Sequence, residues 1–334
     1  MLDDFVILLL GCAAMVFLAN WIVKRSIEIA EFLGISGTFI GMTVLAIGTS
    51  LPEIFTHIIG SLQIIKQPAF MNSVSALVLG SNVGSDIFQQ NFILGIVAII
   101  GAVYLVKEEM PTIVGGLAGG TVVLFIMCID GRVSQFEGIV LVSGYLLYLS
   151  YLKKKEKQEE INASKKHHGK KHRDLQEEIR ELVLASLVLL MAFIGMTIVS
   201  RQVLASAESL VSQLPISASL FGVIILGIAA AMPELTTSLI ALKKKQVGMS
   251  AGVLLGSNVT NPMLAVGIGA IISTYTVPKV IIWYDLPVKI LSCLLIMFFF
   301  LKYKKMEKHH GVILISMFLA YLILRTLFFH VDAF

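Results

Sequence analysis

Two glutamates stand inside long apolar stretches of this chain, and each follows a proline. They are Glu53 and Glu234, 181 positions apart. A carboxylate at membrane depth is costly, and such groups usually mark ion or substrate pathways. Each proline leaves the carbonyl four residues earlier without its helical hydrogen bond, which frees the carbonyls of Gly48 and Ala229. Carboxylate and carbonyl oxygens suit hard cations such as Ca²⁺ and Na⁺, so the pattern predicts a cation site.

Polar side chains near the two glutamates extend the candidate ligand set. Thr49 precedes Glu53 by four residues and therefore shares its helix face. The next apolar stretch of each half carries polar residues at four-residue spacing: Ser81, Ser85 and Gln89 in the first half, and Ser257 and Asn261 in the second. Taken singly, such residues would be expected to join helices by hydrogen bonds. Because they face two glutamates, the sequence favours a ligand role for them.

For other ionisable residues in the apolar stretches, the sequence allows more than one partner. His57 lies one turn after Glu53, where it could couple proton movement or could simply hydrogen bond that glutamate. Asp86 could reach the same cavity or pair elsewhere. Asp285 and Lys289 are four residues apart and could neutralise each other.

The composition places these residues in a membrane. The chain has 334 residues, of which 57% are hydrophobic and 14% charged, and its mean hydropathy is +0.88. Stretches long enough to span a bilayer recur from end to end. There are ten, at about 4–23, 37–65, 74–104, 111–129, 135–152, 180–201, 216–242, 248–274, 277–301 and 311–330. Because their hydrophobicity is continuous rather than alternating, we predict an all-α integral membrane protein with ten transmembrane helices.

The two glutamates belong to an internal repeat. A shift of 181 positions aligns Gly41 with Gly222 as well as the two Pro-Glu pairs, and a Gly-Ser-Asn-Val motif follows in each half. Five predicted spans separate the copies, so the copies cross the membrane in opposite senses. This pattern predicts two inverted five-helix repeats, with the substrate site near the midplane where they meet. We divide the chain into a first repeat at 1–152, a basic loop at 153–179 and a second repeat at 180–334.

Basic residues set the expected orientation. Alternate loops on one side hold most of the 26 Lys and Arg residues, above all the 153–179 loop. The positive-inside rule puts this side in the cytoplasm and both termini outside, as expected for a multi-pass protein of the plasma membrane. Three histidines of the loop, His167, His168 and His172, could bind a metal or anionic lipid. The composition of the loop favours a solvated linker instead.

These motifs resemble the alpha-repeats of the cation/calcium antiporter family, in particular its prokaryotic sodium/calcium exchangers. The matching residues are GTSLPE and GSNVGSDIFQQNFILG in the first half, and AAAMPEL and GSNVTNPMLAVG in the second. The resemblance implies that Na⁺ and Ca²⁺ compete for one central group of sites, and that the first and sixth helices move to alternate access. It implies ligands from both repeats: Glu53, Glu234, the hydroxyls of Thr49 and Ser50, backbone carbonyls near the two prolines, and the polar residues of the following helices.

Several positions depart from the family pattern. Ala230 and Ala231 stand where the second repeat usually has Thr-Ser, so they can offer only backbone carbonyls. Gln89 takes the usual asparagine position, Asn261 stands where an acidic residue is common, and His57 replaces a serine. The resulting site has two carboxylates and fewer hydroxyls than the family pattern.

The predicted function is a secondary cation antiporter that exchanges Ca²⁺ for Na⁺ by alternating access at a two-glutamate site. The ions and the lipid bilayer are then its partners, and no cofactor or nucleic acid is expected. One alternative is an H⁺-coupled antiporter that uses His57 and the glutamates as proton carriers. Another is a passive cation channel, although channels usually build pores from symmetric rings of subunits. An enzyme is disfavoured because the sequence offers no nucleophile–base or catalytic metal constellation.

Overall fold

A computed structural model describes residues 2–101, 103–104, 110–164, 175–211, 217–329 and 331–334. Within these ranges the chain forms ten helical segments. They are α1 Leu2–Leu33, α2 Gly37–Thr49 with Leu51–Lys66, α3 Pro68–Ile100, α4 Met110–Cys128, α5 Gln135–Ser164, α6 Leu175–Val211, α7 Ala218–Lys243, α8 Val247–Ile272, α9 Ile281–Tyr303 and α10 Lys308–Phe328. Two short antiparallel strand pairs join helix ends: β1 Val103–Tyr104 with β4 Lys305–Met306, and β2 Arg132–Val133 with β3 Tyr275–Thr276.

The helices follow the order of the predicted spans, and the prediction of an all-α membrane protein is confirmed. Seven of them are long and apolar enough to cross a bilayer, and α2 makes an eighth when its two bent parts are counted as one span. The α4 segment contributes a shorter apolar helix, Thr112–Cys128. Large apolar side chains are exposed along the outer faces, for example Leu10 at 65% and Met191 at 66%. Such faces suit contact with lipid rather than water.

The helices on either side of the predicted central loop are longer than expected. The α5 helix continues to Ser164 and α6 begins at Leu175, so part of the predicted 153–179 loop is helical. Lys, Glu and Gln dominate this segment, and all three are good helix formers even where no apolar face requires a helix. The three histidines of the loop lie outside the described residues.

The α1 and α6 helices pack against each other and form a hydrophobic cluster separate from the main core. Met15, Ala19 and Ile22 of α1 meet Leu189 and Phe193 of α6 in this cluster. The other, larger cluster draws most of its buried residues from α3, α4, α8, α9 and α10. The pair therefore lies against the rest of the bundle through contacts that are mainly apolar.

The two halves interlock through glycines. A Cβ on Gly84 of α3 would lie 2.3 Å from the Val223 carbonyl oxygen of α7. In the other half, a Cβ on Gly252 of α8 would lie 2.7 Å from the Thr38 carbonyl oxygen of α2. Each second helix thus packs against the third helix of the opposite repeat, at a distance that only glycine permits. This arrangement draws both Pro-Glu segments to the centre.

Candidate cation site

Both glutamates lie just after a break in a helix. Ser50 has φ −79° and ψ 3°, and its repeat counterpart Ala231 has φ −77° and ψ 2°. The helix restarts in each case with proline in its first turn, a position that proline favours because its missing N–H is not needed there. In α2 the two parts are bent by 41°. Glu53 and Glu234 consequently lie in the first turns of the restarted helices.

Widened helical turns also occur in matching places of the two halves. In α2 and α7 these π-helical turns cover Gly41–Leu45 and Gly222–Leu226. In α3 and α8 they cover Phe88–Ile93 and Asn261–Ala265. Such turns are frequent at functional sites because they re-aim side chains along a helix. No residue pattern in the sequence predicts them.

The carboxylates of Glu53 and Glu234 are enclosed and close to each other. Their residues are 2% and 0% exposed, and the two groups lie within electrostatic range. Oε1 of Glu53 accepts a hydrogen bond from Oγ of Ser85 at 3.0 Å, and Oε1 of Glu234 accepts one from Oγ of Ser50 at 3.4 Å. In the described part of the chain, Oε2 of each glutamate has no hydrogen-bond partner. A cation between them would satisfy both buried oxygens.

The two hydroxyls at the first break lie near the carboxylate of the second repeat. Both Thr49 and Ser50 approach Glu234, which is 184 positions from Ser50. The second break offers alanines at the equivalent positions, so Glu53 takes its donor from α3 instead. The site is therefore shared between the halves, as an inverted repeat requires.

The candidate backbone ligands precede the breaks directly. Gly48, Ala229 and Ala230 are all buried, and the last two are 8% and 2% exposed. Gly48 also faces α6, because a Cβ there would lie 2.2 Å from the ring of Phe193. Sequence reasoning missed Phe193, since one phenylalanine in an apolar helix gives no signal of its own.

A chain of hydrogen bonds connects Glu53 to α8. Ser85, which donates to Glu53, accepts from Nε2 of Gln89 at 3.0 Å. Oε1 of Gln89 in turn accepts from Oγ of Ser257 and from Nδ2 of Asn258, the latter at 3.2 Å. Gln89 and Ser257, both predicted as ligands, therefore lie in contact with each other. Ser85 connects them to Glu53.

Asn261 contacts a third carboxylate, that of Asp86. Its Nδ2 donates to Oδ1 of Asp86 at 2.9 Å, while Oδ2 of Asp86 lies 2.5 Å from Nζ of Lys289. The expectation that Asp285 and Lys289 neutralise each other is therefore wrong. Asp285 accepts instead from Nε of Arg325 at 2.9 Å. Four-residue spacing permits a pair on one helix, but neighbouring helices supply the actual partners.

His57 is buried and bonds a tyrosine of β3. Its Nδ1 lies 3.1 Å from the Tyr275 hydroxyl, which is also 2.6 Å from Oγ of Ser61. Among the described hydrogen bonds none joins His57 to Glu53, so the interpretation of His57 as a partner of that glutamate is wrong. Nε2 of His57 has no partner within the described ranges. The sequence could not reveal Tyr275, which lies 218 positions away.

The candidate site relies on few charged groups. Among residues whose positions are described, no group of three or more His, Cys, Asp and Glu side chains converges to hold a metal. Two carboxylates with neutral hydroxyl and carbonyl oxygens remain as the donor set. Oxygen donors of this kind fit hard cations and exclude a thiolate or imidazole site for soft metals.

Comparison with known families gives one match that covers most of the chain. A sequence profile described as "Sodium/calcium exchanger protein" matches residues 4–154 and 184–327. The two matched ranges contain both Pro-Glu segments and leave out part of the basic loop.

Individual relatives match over nearly their full lengths. The sodium/calcium exchanger MaX1 of Methanosarcina acetivorans is 24% identical over 96% of this chain and 97% of its own length. The uncharacterized membrane protein MJ0091 of Methanocaldococcus jannaschii is 27% identical over 93% of this chain and 94% of its own length. A solved structure of the sodium-calcium exchanger NCX_Mj, soaked with Na⁺ and Sr²⁺, is similar with a TM-score of 0.76 at 25% identity, covering 96% of this chain and 97% of that one.

Proposed function

Because this chain belongs to the sodium/calcium exchanger protein family and is thus a multi-pass membrane antiporter, we propose that it exchanges Ca²⁺ for Na⁺ at a site built on Glu53 and Glu234. The observation that supports this most strongly is the pair of enclosed carboxylates from opposite repeats. Each has one oxygen with no hydrogen-bond partner among the described residues. An ion held between them would touch both halves of the molecule at once.

The charge of the site explains why the two ions compete. Two ionised carboxylates carry a charge of −2, which one Ca²⁺ or about two monovalent ions neutralise. Hydroxyls of Thr49, Ser50 and Ser85 adjoin the carboxylates and can contribute neutral oxygens. Ca²⁺ prefers six to eight oxygens, so carbonyls at the breaks or water complete its shell. Because Na⁺ uses the same oxygens, binding of one ion excludes the other.

We assign alternating access to movement of α1 and α6 against the other eight helices. The cluster that joins this pair is largely apolar. Apolar contacts have no directional bonds to break, so the two helices can slide against their neighbours at a low cost in free energy. Phe193 of α6 packs on Gly48, directly before the break that precedes Glu53. A shift of α6 would move this ring relative to the site and change access to it.

The proposed orientation places both termini outside the plasma membrane and the basic loop in the cytoplasm. The 153–179 loop and the turn with Lys243, Lys244 and Lys245 then lie on the cytoplasmic side. This assignment follows from the positive-inside rule.

The direct test is Ca²⁺ flux in proteoliposomes that contain the purified protein. An outward-directed Na⁺ gradient should drive ⁴⁵Ca²⁺ uptake, and dissipation of the gradient should stop it. Flux that persists without any countertransported ion would contradict the proposal and point to a passive pore. A matched preparation of Glu234→Gln serves as the negative control.

Proton coupling is the second candidate, because His57 is buried one turn from Glu53 and its Nε2 has no partner among the residues that the structure describes. A pH gradient alone should then drive Ca²⁺ uptake, and His57→Ser should weaken that uptake. Uptake driven by Na⁺ at equal pH on both sides, and unchanged in His57→Ser, would exclude this candidate.

A further inference from the structure

A second charged group lies beside the two glutamates and is fully buried. Asp86 and Lys289 form an ion pair of 2.5 Å, and both side chains are 0% exposed. Asp86 follows Ser85, the hydrogen-bond donor of Glu53, and it lies within electrostatic range of Glu53 and Glu234. Without Lys289, this region would hold three carboxylates that lack a counter-charge instead of two.

The surroundings of Asp86 are rich in oxygen acceptors. Asn261 donates to Asp86 at 2.9 Å, and Nδ2 of Asn82 donates to the Asn261 carbonyl at 3.2 Å. The side-chain oxygens Oδ1 of Asn82 and Oδ1 of Asn261 are buried, and neither has a partner in the described part of the chain. A carboxylate with two unsatisfied amide oxygens is a donor set for a monovalent alkali cation.

We propose that the Lys289 ammonium acts as a tethered cation on Asp86. It takes the place of a free alkali ion that Asp86 and the side-chain oxygens of Asn82 and Asn261 would otherwise bind. The ammonium is a compact single positive charge, equivalent in charge to one alkali ion. It keeps the net charge of the neighbouring site at −2 and makes exchange independent of an additional monovalent ion. This inference rests on the proposed function only in that the transported ions bind next to the pair.

Replacement of Lys289 should make Ca²⁺ exchange depend on a free monovalent cation. In Lys289→Met the Asp86 carboxylate is left buried without its counter-charge, a costly state that an external cation can relieve. We expect K⁺, added equally on both sides of the membrane in place of choline, to raise Ca²⁺ self-exchange by Lys289→Met about tenfold. Self-exchange is measured as ⁴⁵Ca²⁺ uptake into vesicles loaded with unlabelled Ca²⁺, so no Na⁺ is present to fill the position.

Two control variants separate this role from a structural one. The double variant Asp86→Asn/Lys289→Met removes both charges and should show no stimulation by K⁺. Arg325→Met breaks another fully buried ion pair, that of Asp285, which lies one turn from Lys289 on α9 but joins α10 instead of α3. It should lower stability without any K⁺ dependence of self-exchange. The wild-type protein should also be indifferent to K⁺.

The outcomes are distinguishable. If wild-type vesicles show no Ca²⁺ self-exchange, the proposed function fails; if they do and Lys289→Met is indifferent to K⁺, only the tethered-cation proposal is overturned. Should Lys289→Met fail to fold, Asp86→Asn replaces it in the test. Its unpaired ammonium should weaken Ca²⁺ binding about tenfold through repulsion, and the double variant should recover the loss. Absence of recovery overturns the proposal.

Discussion

At the scale of single residues, the important difference is between the carboxylate oxygens of the two glutamates that accept a hydrogen bond and those that do not. Ser85 and Ser50 each satisfy one oxygen of a glutamate. The remaining Oε2 atoms of Glu53 and Glu234 have no partner within the described ranges. A buried acceptor that has no hydrogen bond destabilises the protein unless a cation or a donor interacts with it. In the proposed function, a transported cation interacts with both oxygens.

Neutralising either glutamate should abolish Ca²⁺ binding. In Glu53→Gln or Glu234→Gln one of two charges is lost in a buried site, so we expect affinity to fall by about two orders of magnitude or more. Isothermal titration of the purified variants with Ca²⁺ measures this. Glu137→Gln is the matched control, since Glu137 only caps the start of α5 through Ser134. Retained affinity in Glu234→Gln would remove that residue from the site.

Loss of the Ser85 hydroxyl should weaken binding without ending it. Ser85→Ala removes the donor of Glu53 and the acceptor of Gln89. A lost hydrogen bond to a charged group costs about 1.5–3 kcal/mol, so we expect roughly a tenfold or greater fall in Ca²⁺ affinity. Ser150→Ala is the control, because Ser150 is exposed and bonds only the carbonyl of Leu146 in its own helix. Equal affinities of the two variants would contradict a role for Ser85.

The sequence predicted the residues of the site better than their partners. The Pro-Glu pairs marked both glutamates, and four-residue spacing singled out Ser85 of α3, which donates to Glu53, because helix geometry fixes which neighbours share a face. The pairing of Asp86 with Lys289, and of His57 with Tyr275, joins residues more than 200 positions apart. Long-range pairing of this kind depends on helix packing, which spacing along one helix does not reveal.

At the scale of helices, breaks and glycine contacts position the site. The equivalent breaks at Ser50 and Ala231 place each glutamate in a first helical turn. Gly80 and Gly84 of α3 contact the backbone of α7, while Gly252 and Gly256 of α8 contact α2. The two prolines predicted an interrupted hydrogen-bond pattern in each helix, because proline has no N–H to donate. The widened turns were not predictable, since no residue type specifies them.

A methyl group at a glycine contact should separate the two repeats. In Gly84→Ala the new Cβ would lie 2.3 Å from the Val223 carbonyl oxygen, so α3 and α7 must move apart. Overpacking of this kind costs about 1–3 kcal/mol, and we expect a lower melting temperature in detergent together with weaker Ca²⁺ binding. Gly119→Ala in α4 is the control, because nothing lies within 4 Å of its added Cβ. An unchanged melting temperature for Gly84→Ala would contradict the packing described.

At the scale of the whole molecule, two interlocked repeats enclose one site. The start of α2 is capped by Ser36, which donates to Glu156 of α5, and Ser219 near the start of α7 donates to Asp332 beyond α10. The fifth helix of each half therefore ends near the beginning of the second. The orientation drawn from the basic residues stays a prediction, whereas the span count came from the hydrophobic pattern of the sequence. It could not predict the extent of α5 and α6.

The orientation has a simple test in intact cells. In a background where all three cysteines are replaced, Asp130→Cys lies at the turn before β2 and Lys244→Cys lies at the turn after α7. A membrane-impermeant thiol reagent should label the first and spare the second, because the positive-inside rule puts the lysine-rich turn in the cytoplasm. The reverse labelling pattern would invert the topology. Labelling of both after lysis controls for access.

The central claim is that Glu53 and Glu234 together hold one cation, and the most direct measurement is anomalous diffraction from crystals soaked with Sr²⁺. We expect one strong peak in contact with carboxylate oxygens of both glutamates, and its loss when excess Na⁺ is present. A peak that contacts only one of them, or a pair of carboxylates turned away from each other with the ion bound elsewhere, would contradict the account.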